Sequence, residues 1–221
     1  MSEATGGRRE RRKAQTRAEV RETAQRLFAE RGFDAVTIAD VAAAADVAVQ
    51  TVFNHFETKE ALFFDGRTPW VEGVAAAVAA RPAGTGPLSA LCRYLEADLS
   101  ALLEQEARPE NRSYLEALAS SPSLQARERT LVEQAGELVA DTLVAAIAPG
   151  DPSPSPAVEV VSRLAADLFL ITGRVLVLDH RRRVLDGAPA ELRRPVPPAD
   201  ALAALEDGVR ELAHRLDVPV D

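Results

Sequence analysis

The chain has 221 residues, 47% hydrophobic and 27% charged, which suffices for the core of one large or two modest domains and excludes general disorder. Aromatic residues make up only 5% while alanine, leucine, arginine and glutamate dominate, so helices are favoured over sheets. The net charge of −8 excludes a protein that is basic over its whole surface, the usual footprint of a nucleic-acid binder, so any such contact must be local.

In chain order, residues 1–9 read as a disordered tail. Six basic residues and one acidic residue lie between Arg8 and Arg17, whereas residues 66–221 hold 16 basic and 23 acidic residues. Positive charge is thus gathered at one end. A helix is expected from Glu10 to Glu30, because Val20, Ala24, Leu27 and Phe28 follow three-four spacing, and Gly32 stands where a C-terminal cap belongs. Thr37 is an N-cap for a short helix over Ile38–Ala44. Asp40 makes a capping-box variant, and Val36 with Val41 a hydrophobic staple. A tight turn at Ala45-Asp46-Val47 leads to a second short helix, from Ala48 to His55. A fourth helix begins near Thr58. Proline- and glycine-rich breaks then leave helices near 69–81, 87–107, 110–120, 123–148, 156–186 and 198–216. The domains expected are 10–66 and 67–221.

Residues 32–63, together with the preceding Leu27-Phe28-Ala29-Glu30-Arg31, resemble the DNA-binding domain of the TetR family of transcriptional regulators. The resemblance spans about residues 12–66. It implies an all-α chain with an N-terminal three-helix helix-turn-helix domain that binds DNA and a C-terminal helical domain for ligand binding and dimerisation. On this resemblance Thr37, Ala48, Val49, Gln50, Thr51, Phe53, Asn54, His55 and Lys59 form the DNA-contacting set. Val49, Gln50, Thr51 and Asn54 face the groove. Gln50 suits adenine, while Val49 and the methyl of Thr51 suit a thymine methyl. Thr37, Thr51, His55 and Lys59 are placed for phosphates. The chain departs from the family pattern at Asp46, where glycine is common, at Ala48, where a capping hydroxyl is common, and at Phe53, where tyrosine is common. Weaker non-specific affinity is therefore expected, recovered in part by Arg12, Lys13 and Arg17.

The C-terminal region speaks less clearly. Leu88, Leu91, Leu95, Leu99 and Leu102 share one helix face with Asp98, a carboxylate that is costly to bury unpaired. Asp167 and Arg174, seven residues apart, are expected to pair or to leave Arg174 for an acidic ligand. Trp70, Tyr94, Asp98, Tyr114, Phe169 and Arg174 are the candidate ligand residues, and core packing is the competing reading for the aromatics. Residues 168–178 are apolar on nearly every side and need cover all round. Leu202, Leu205, Val209, Leu212 and Leu216 form an uninterrupted seam. The family resemblance implies a homodimer through the helices near 156–186 and 198–216, reading a pseudo-palindromic operator.

Cys92 cannot form an intramolecular disulfide and reads as a small core residue. No apolar run reaches the roughly 18–20 residues of a membrane span, and no apolar h-region follows the basic start. A cytoplasmic protein without membrane contact is expected. His55, His180 and His214 are scattered, and no metal cluster, nucleophile-elbow serine or glycine-rich phosphate loop is present, so neither enzyme activity nor a cofactor or metal is expected. His180-Arg181-Arg182-Arg183 reads as a solvated helix end. The expected function is a ligand-responsive regulator, with a repressor released from its operator by an apolar or amphipathic small molecule as the leading form. A ligand-independent regulator or an activator of the same fold fits the same residues.

Overall fold

The computed structural model describes residues 3–67, 73–188 and 197–220, and every regular element among them is helical. These are α1 (Glu3–Arg31), α2 (Ile38–Ala44), α3 (Val49–Phe53), α4 (Lys59–Phe64), α5 (Val74–Ala79), α6 (Pro87–Glu106), a 3₁₀ turn (Pro109–Asn111), α7 (Arg112–Ser120), α8 (Pro122–Ile147), α9 (Pro156–Leu185) and α10 (Pro198–Arg215). The chain divides into two compact units, one of residues 1–67 and 113–127 and one of residues 68–112 and 128–221.

The first helix corrects the sequence reading. It starts at Glu3, so the expected tail over 1–9 is in fact helical from that residue. Residues 8–13 are nearly all arginine, glutamate and lysine, which are good helix formers, and Arg11 Nε donates back to Gly7 O at 2.9 Å. Its inner face buries Val20, Ala24, Leu27 and Phe28.

The first unit closes around aromatic rings. Phe63 lies 5.8 Å from Phe28 and 5.3 Å from Phe33 between ring centroids, and Tyr114 stacks on it at 4.8 Å. Arg67 covers the Tyr114 ring, its guanidinium 4.2 Å from the centroid. Ser121 Oγ donates to Asp34 Oδ1. These contacts explain why residues 113–127 group with the first unit, although they follow residue 67. The helix α4 ends at Phe64, with Asp65 extended, and lies wholly within this unit.

The second unit buries Val74, Leu91, Val139, Val161, Phe169 and Leu202 in one core drawn from α5, α6, α8, α9 and α10. The seam of α10, expected to join two copies, is largely used inside this unit. Leu202, Val209 and Ala213 are buried and Leu205 packs on the same core; only Leu216 stays exposed. A short amphipathic helix is the natural cover for the apolar faces of α6 and α9. By contrast, α9 leaves Val160, Leu164, Leu168, Ile171, Val175 and Leu178 exposed in a three-four stripe. Its segment 168–178 is therefore buried on one side only, where Phe169, Leu170, Leu176 and Val177 turn inward.

Among the described residues no helix is long and apolar enough to cross a membrane, and no three His, Cys, Asp or Glu are grouped to hold a metal.

Candidate nucleic-acid interface and a cavity in the second unit

Two caps, Thr37 before α2 and Thr58 before α4, fix the short helices of the first unit, and Thr58 Oγ1 accepts from Ala61 N at 3.0 Å. Thr37 Oγ1 accepts from Asp40 N at 3.1 Å, and the Asp40 carboxylate accepts from Thr37 N at 2.8 Å. This reciprocal box satisfies two backbone donors that the start of a helix otherwise leaves unpaired. The Thr37 hydroxyl also donates to Asp40 Oδ2 at 2.6 Å, and this bond, followed by that from Thr37 N, holds the Asp40 carboxyl below its ordinary value. The helix α2 then stops in a left-handed step. Asp46 has φ 52, Asp46 N donates to Ala43 O, and Val47 N donates to Ala42 O. This bond pair is a Schellman motif, with aspartate where glycine is usual.

That step launches α3. Ala48 is its N-cap and supplies no side-chain bond. Val52 is buried under the helix, whereas Val49 is 42% and Phe53 45% exposed. Gln50 and Asn54 are also exposed, and Gln50 Nε2 donates to Asn54 Oδ1 at 3.2 Å, which orients both amides on one face. Thr51 is half-buried. The structure thus brings Val49, Gln50, Phe53 and Asn54 together on an outward face backed by the core residue Val52.

The flanking residues fall differently. Lys59, expected at a phosphate, is part-buried and donates from Nζ to Phe33 O and Val36 O at 3.0 Å each. Its ammonium also lies 4.1 Å from the Phe33 ring centroid. Carbonyls between α1 and α2 need a donor, and Lys59 supplies it. The Thr37 hydroxyl is engaged by its cap. Arg17, expected on DNA, donates from Nη1 to His55 O at 2.7 Å, pairs with Asp65 and lies 4.4 Å from the Phe56 ring centroid. It therefore ties α1 to the end of α3. His55 is half-buried, and burial, then the charges of Arg17 and Lys13, pushes its pKa down. The imidazole is thus held neutral near pH 7. Arg12 and Lys13 are exposed on α1.

Residues 20–65, which carry both short helices, match the family model for bacterial regulatory proteins of the tetR family. The tetR-family match thus lies on the part of the chain that carries α2, α3 and α4. It is 32% identical over 100 residues to the HTH-type transcriptional regulator TcmR of Streptomyces glaucescens, a match covering 45% of this chain and 44% of that protein. The matched part is thus less than half of that relative. A TetR-family regulator of Streptomyces coelicolor A3 has a similar fold, with a TM-score of 0.54 and 19% identity over 91% of this chain and 96% of that one.

The second unit contains a cavity of about 80 Å³ between α6, α8, α9 and α10. Of the candidate ligand residues, Asp98, Phe169 and Arg174 line it. Tyr94 does not: its ring packs against Gly73, where an added Cβ would fall 1.9 Å from the Tyr94 hydroxyl. Tyr114 belongs to the first unit, stacked on Phe63, and Trp70 lies outside the described residues. Asp167 pairs with Arg163, one turn away, rather than with Arg174. Gly173 lines the cavity, and a Cβ there would come no nearer than 4.0 Å to Leu99, so it does not serve a close helix contact.

Sequence reasoning missed Arg181. Far from a solvated end, it is 9% exposed and lies between two carboxylates, with His180 also buried beside it. Its Nε and Nη2 donate to Glu106, and Nη1 donates to Glu128 at 2.6 Å. The available signal was spacing: Val177, Arg181 and Val184 continue the buried three-four face of α9.

Proposed function

We propose that this chain is a homodimeric, sequence-specific DNA-binding transcriptional regulator, a repressor released from a pseudo-palindromic operator by a small molecule. The observation that carries the reading is the α3 face. Val49, Gln50, Phe53 and Asn54 are exposed on a helix that Val52 and the two flanking caps hold rigidly. A single α-helix fits the major groove, where an amide can read adenine and apolar groups can meet thymine methyls. The positive charge between Arg8 and Arg17 supplies a local attraction to phosphate on an otherwise acidic chain.

Two reading helices need a two-fold axis. The α9 stripe from Val160 to Leu178 is the surface that supports self-association, because a contiguous exposed apolar face marks an interaction surface and two-fold dimers are the commonest assemblies. Operator half-sites then lie about one helical turn apart, roughly 34–36 Å. The cavity supports the ligand-responsive part. A ligand that favours the non-binding state by a few kcal/mol suffices for release.

A genomic-fragment binding selection at near-physiological salt tests the reading, run with wild type and with a Gln50→Ala/Thr51→Ala double variant. One enriched pseudo-palindrome, lost in the variant, is the expected result. Enrichment that is indifferent to the two substitutions would overturn the assignment of α3 as the reading helix.

A further inference from the structure

The cavity wall is mostly aliphatic, with Leu95, Leu99 and Leu102 from α6 facing Phe169 and Val177 from α9. Four charged side chains interrupt it: Asp98, Glu128, Arg174 and Arg181. They are not equivalent. Arg181 is already satisfied, since its guanidinium donates to both Glu106 and Glu128. That cluster sets two carboxylates against one guanidinium. Arg174 is exposed, so water solvates its charge and an anionic ligand would gain little there.

Asp98 differs from all of these. It is half-buried in the apolar wall, and no hydrogen bond or ion pair reaches it among the described residues. Burial alone pushes its pKa up. A carboxylate that has lost part of its water without gaining a partner is the group that a ligand can relieve most. The partner it lacks is a cation.

Size narrows the class. About 80 Å³ is well below the roughly 300–1,000 Å³ of a drug-sized pocket, and below the roughly 150 Å³ that encloses benzene. The apolar body must be compact.

We propose that the cavity selects a compact hydrophobic amine, its ammonium on Asp98 and its apolar body between α6 and α9. This rests on the ligand-responsive reading above and names the ligand class for it. Neither a lipophilic acid nor a neutral alcohol would relieve Asp98 in the same way.

Three matched probes test it by titration calorimetry on the full chain: 2-methylpropylamine, 2-methylpropan-1-ol and 3-methylbutanoate. A charge-assisted bond to Asp98 should give the amine about tenfold tighter binding than the alcohol. Asp98→Asn keeps the shape and should bring the amine down to the alcohol's affinity. Gly173→Leu should weaken both by filling the space. Tightest binding of 3-methylbutanoate, an amine preference that survives Asp98→Asn, or no binding of any probe would overturn the proposal. Release of the operator is read separately, by fluorescence anisotropy of the DNA complex. Amine selectivity without release would remove the ligand-responsive reading and leave the cation preference standing. Release by 3-methylbutanoate would do the reverse.

Discussion

Arg181 grips Glu106 through two nitrogens, Nε at 2.8 Å and Nη2 at 2.7 Å from its carboxylate oxygens, with both side chains nearly sealed from water. Removing one member of such a pair leaves a buried charge alone, which costs about 3–5 kcal/mol. Arg181→Ala should lower unfolding stability by that order in a denaturant titration. Arg182→Ala, one residue on, removes an exposed pair with Asp179 that solvent screens, and should leave the titration midpoint nearly unchanged. Equal effects for the two substitutions would contradict the buried network.

Asp98 predicts a pH dependence. Its folded pKa is raised above 3.8, so the folded chain holds this proton at higher pH than the unfolded chain does. The ionised form therefore weakens folding at neutral pH, and stability returns as pH falls through the raised value. Asp98→Asn should melt higher than wild type at about pH 7, and the gap should narrow toward about pH 4. Thermal unfolding of both proteins across that window checks it. A gap that is constant with pH would assign the effect to packing.

Cys92 should be chemically silent. It is 5% exposed, and burial, then Glu206, pushes its thiol to about 12. Alkylation needs the thiolate. Iodoacetamide at neutral pH should label the native chain only as fast as it unfolds. The labelling rate should rise with denaturant alongside the loss of helical signal. Rapid labelling of the native protein would mean that the contact between α6 and α10, where Cys92 meets Glu206, opens readily.

The α9 stripe makes the sharpest claim about assembly. Ile171 is 57% and Val175 60% exposed, so Ile171→Glu and Val175→Glu touch little of the chain's own core and should change its fold stability by about 0.5 kcal/mol or less. Both should halve the mass seen by sedimentation and weaken operator binding. An unchanged mass would leave the stripe without a partner copy.

Most of the fold was legible because helix punctuation is local. The Thr37 box and the Gly32 stop each act within a few residues, and the expected boundaries 38–44, 87–107 and 156–186 fall within a residue or so of α2, α6 and α9. The start of α1 was missed because a charged run looks like a tail, although arginine and glutamate propagate a helix well. The outward face of α3 was legible for the same local reason: Val52 follows Val49 at the step that turns one side inward.

Contacts between distant segments were not legible. Nothing near Lys59 announces carbonyls at 33 and 36, and nothing near Arg17 announces the carbonyl of His55, which is 38 residues away. Tyr114 was grouped with pocket aromatics because its stacking partner, Phe63, is far off in sequence. Periodicity marked the α10 seam as apolar, but it cannot say whether the chain's own core or a second copy covers such a seam. Arg181 was hidden by its two arginine neighbours, which made a buried ion pair look like a solvated run.

Leu178 belongs to two surfaces at once. It lines the cavity, and it closes the exposed stripe of α9. Wherever two copies join along that stripe, the cavity gains part of its wall from their meeting, and whatever fills the cavity presses on the seam. By thermodynamic reciprocity, occupancy and assembly then shift together. A ligand titrated into dilute protein would meet a different receptor from one titrated into concentrated protein, and dilution alone would act as an effector.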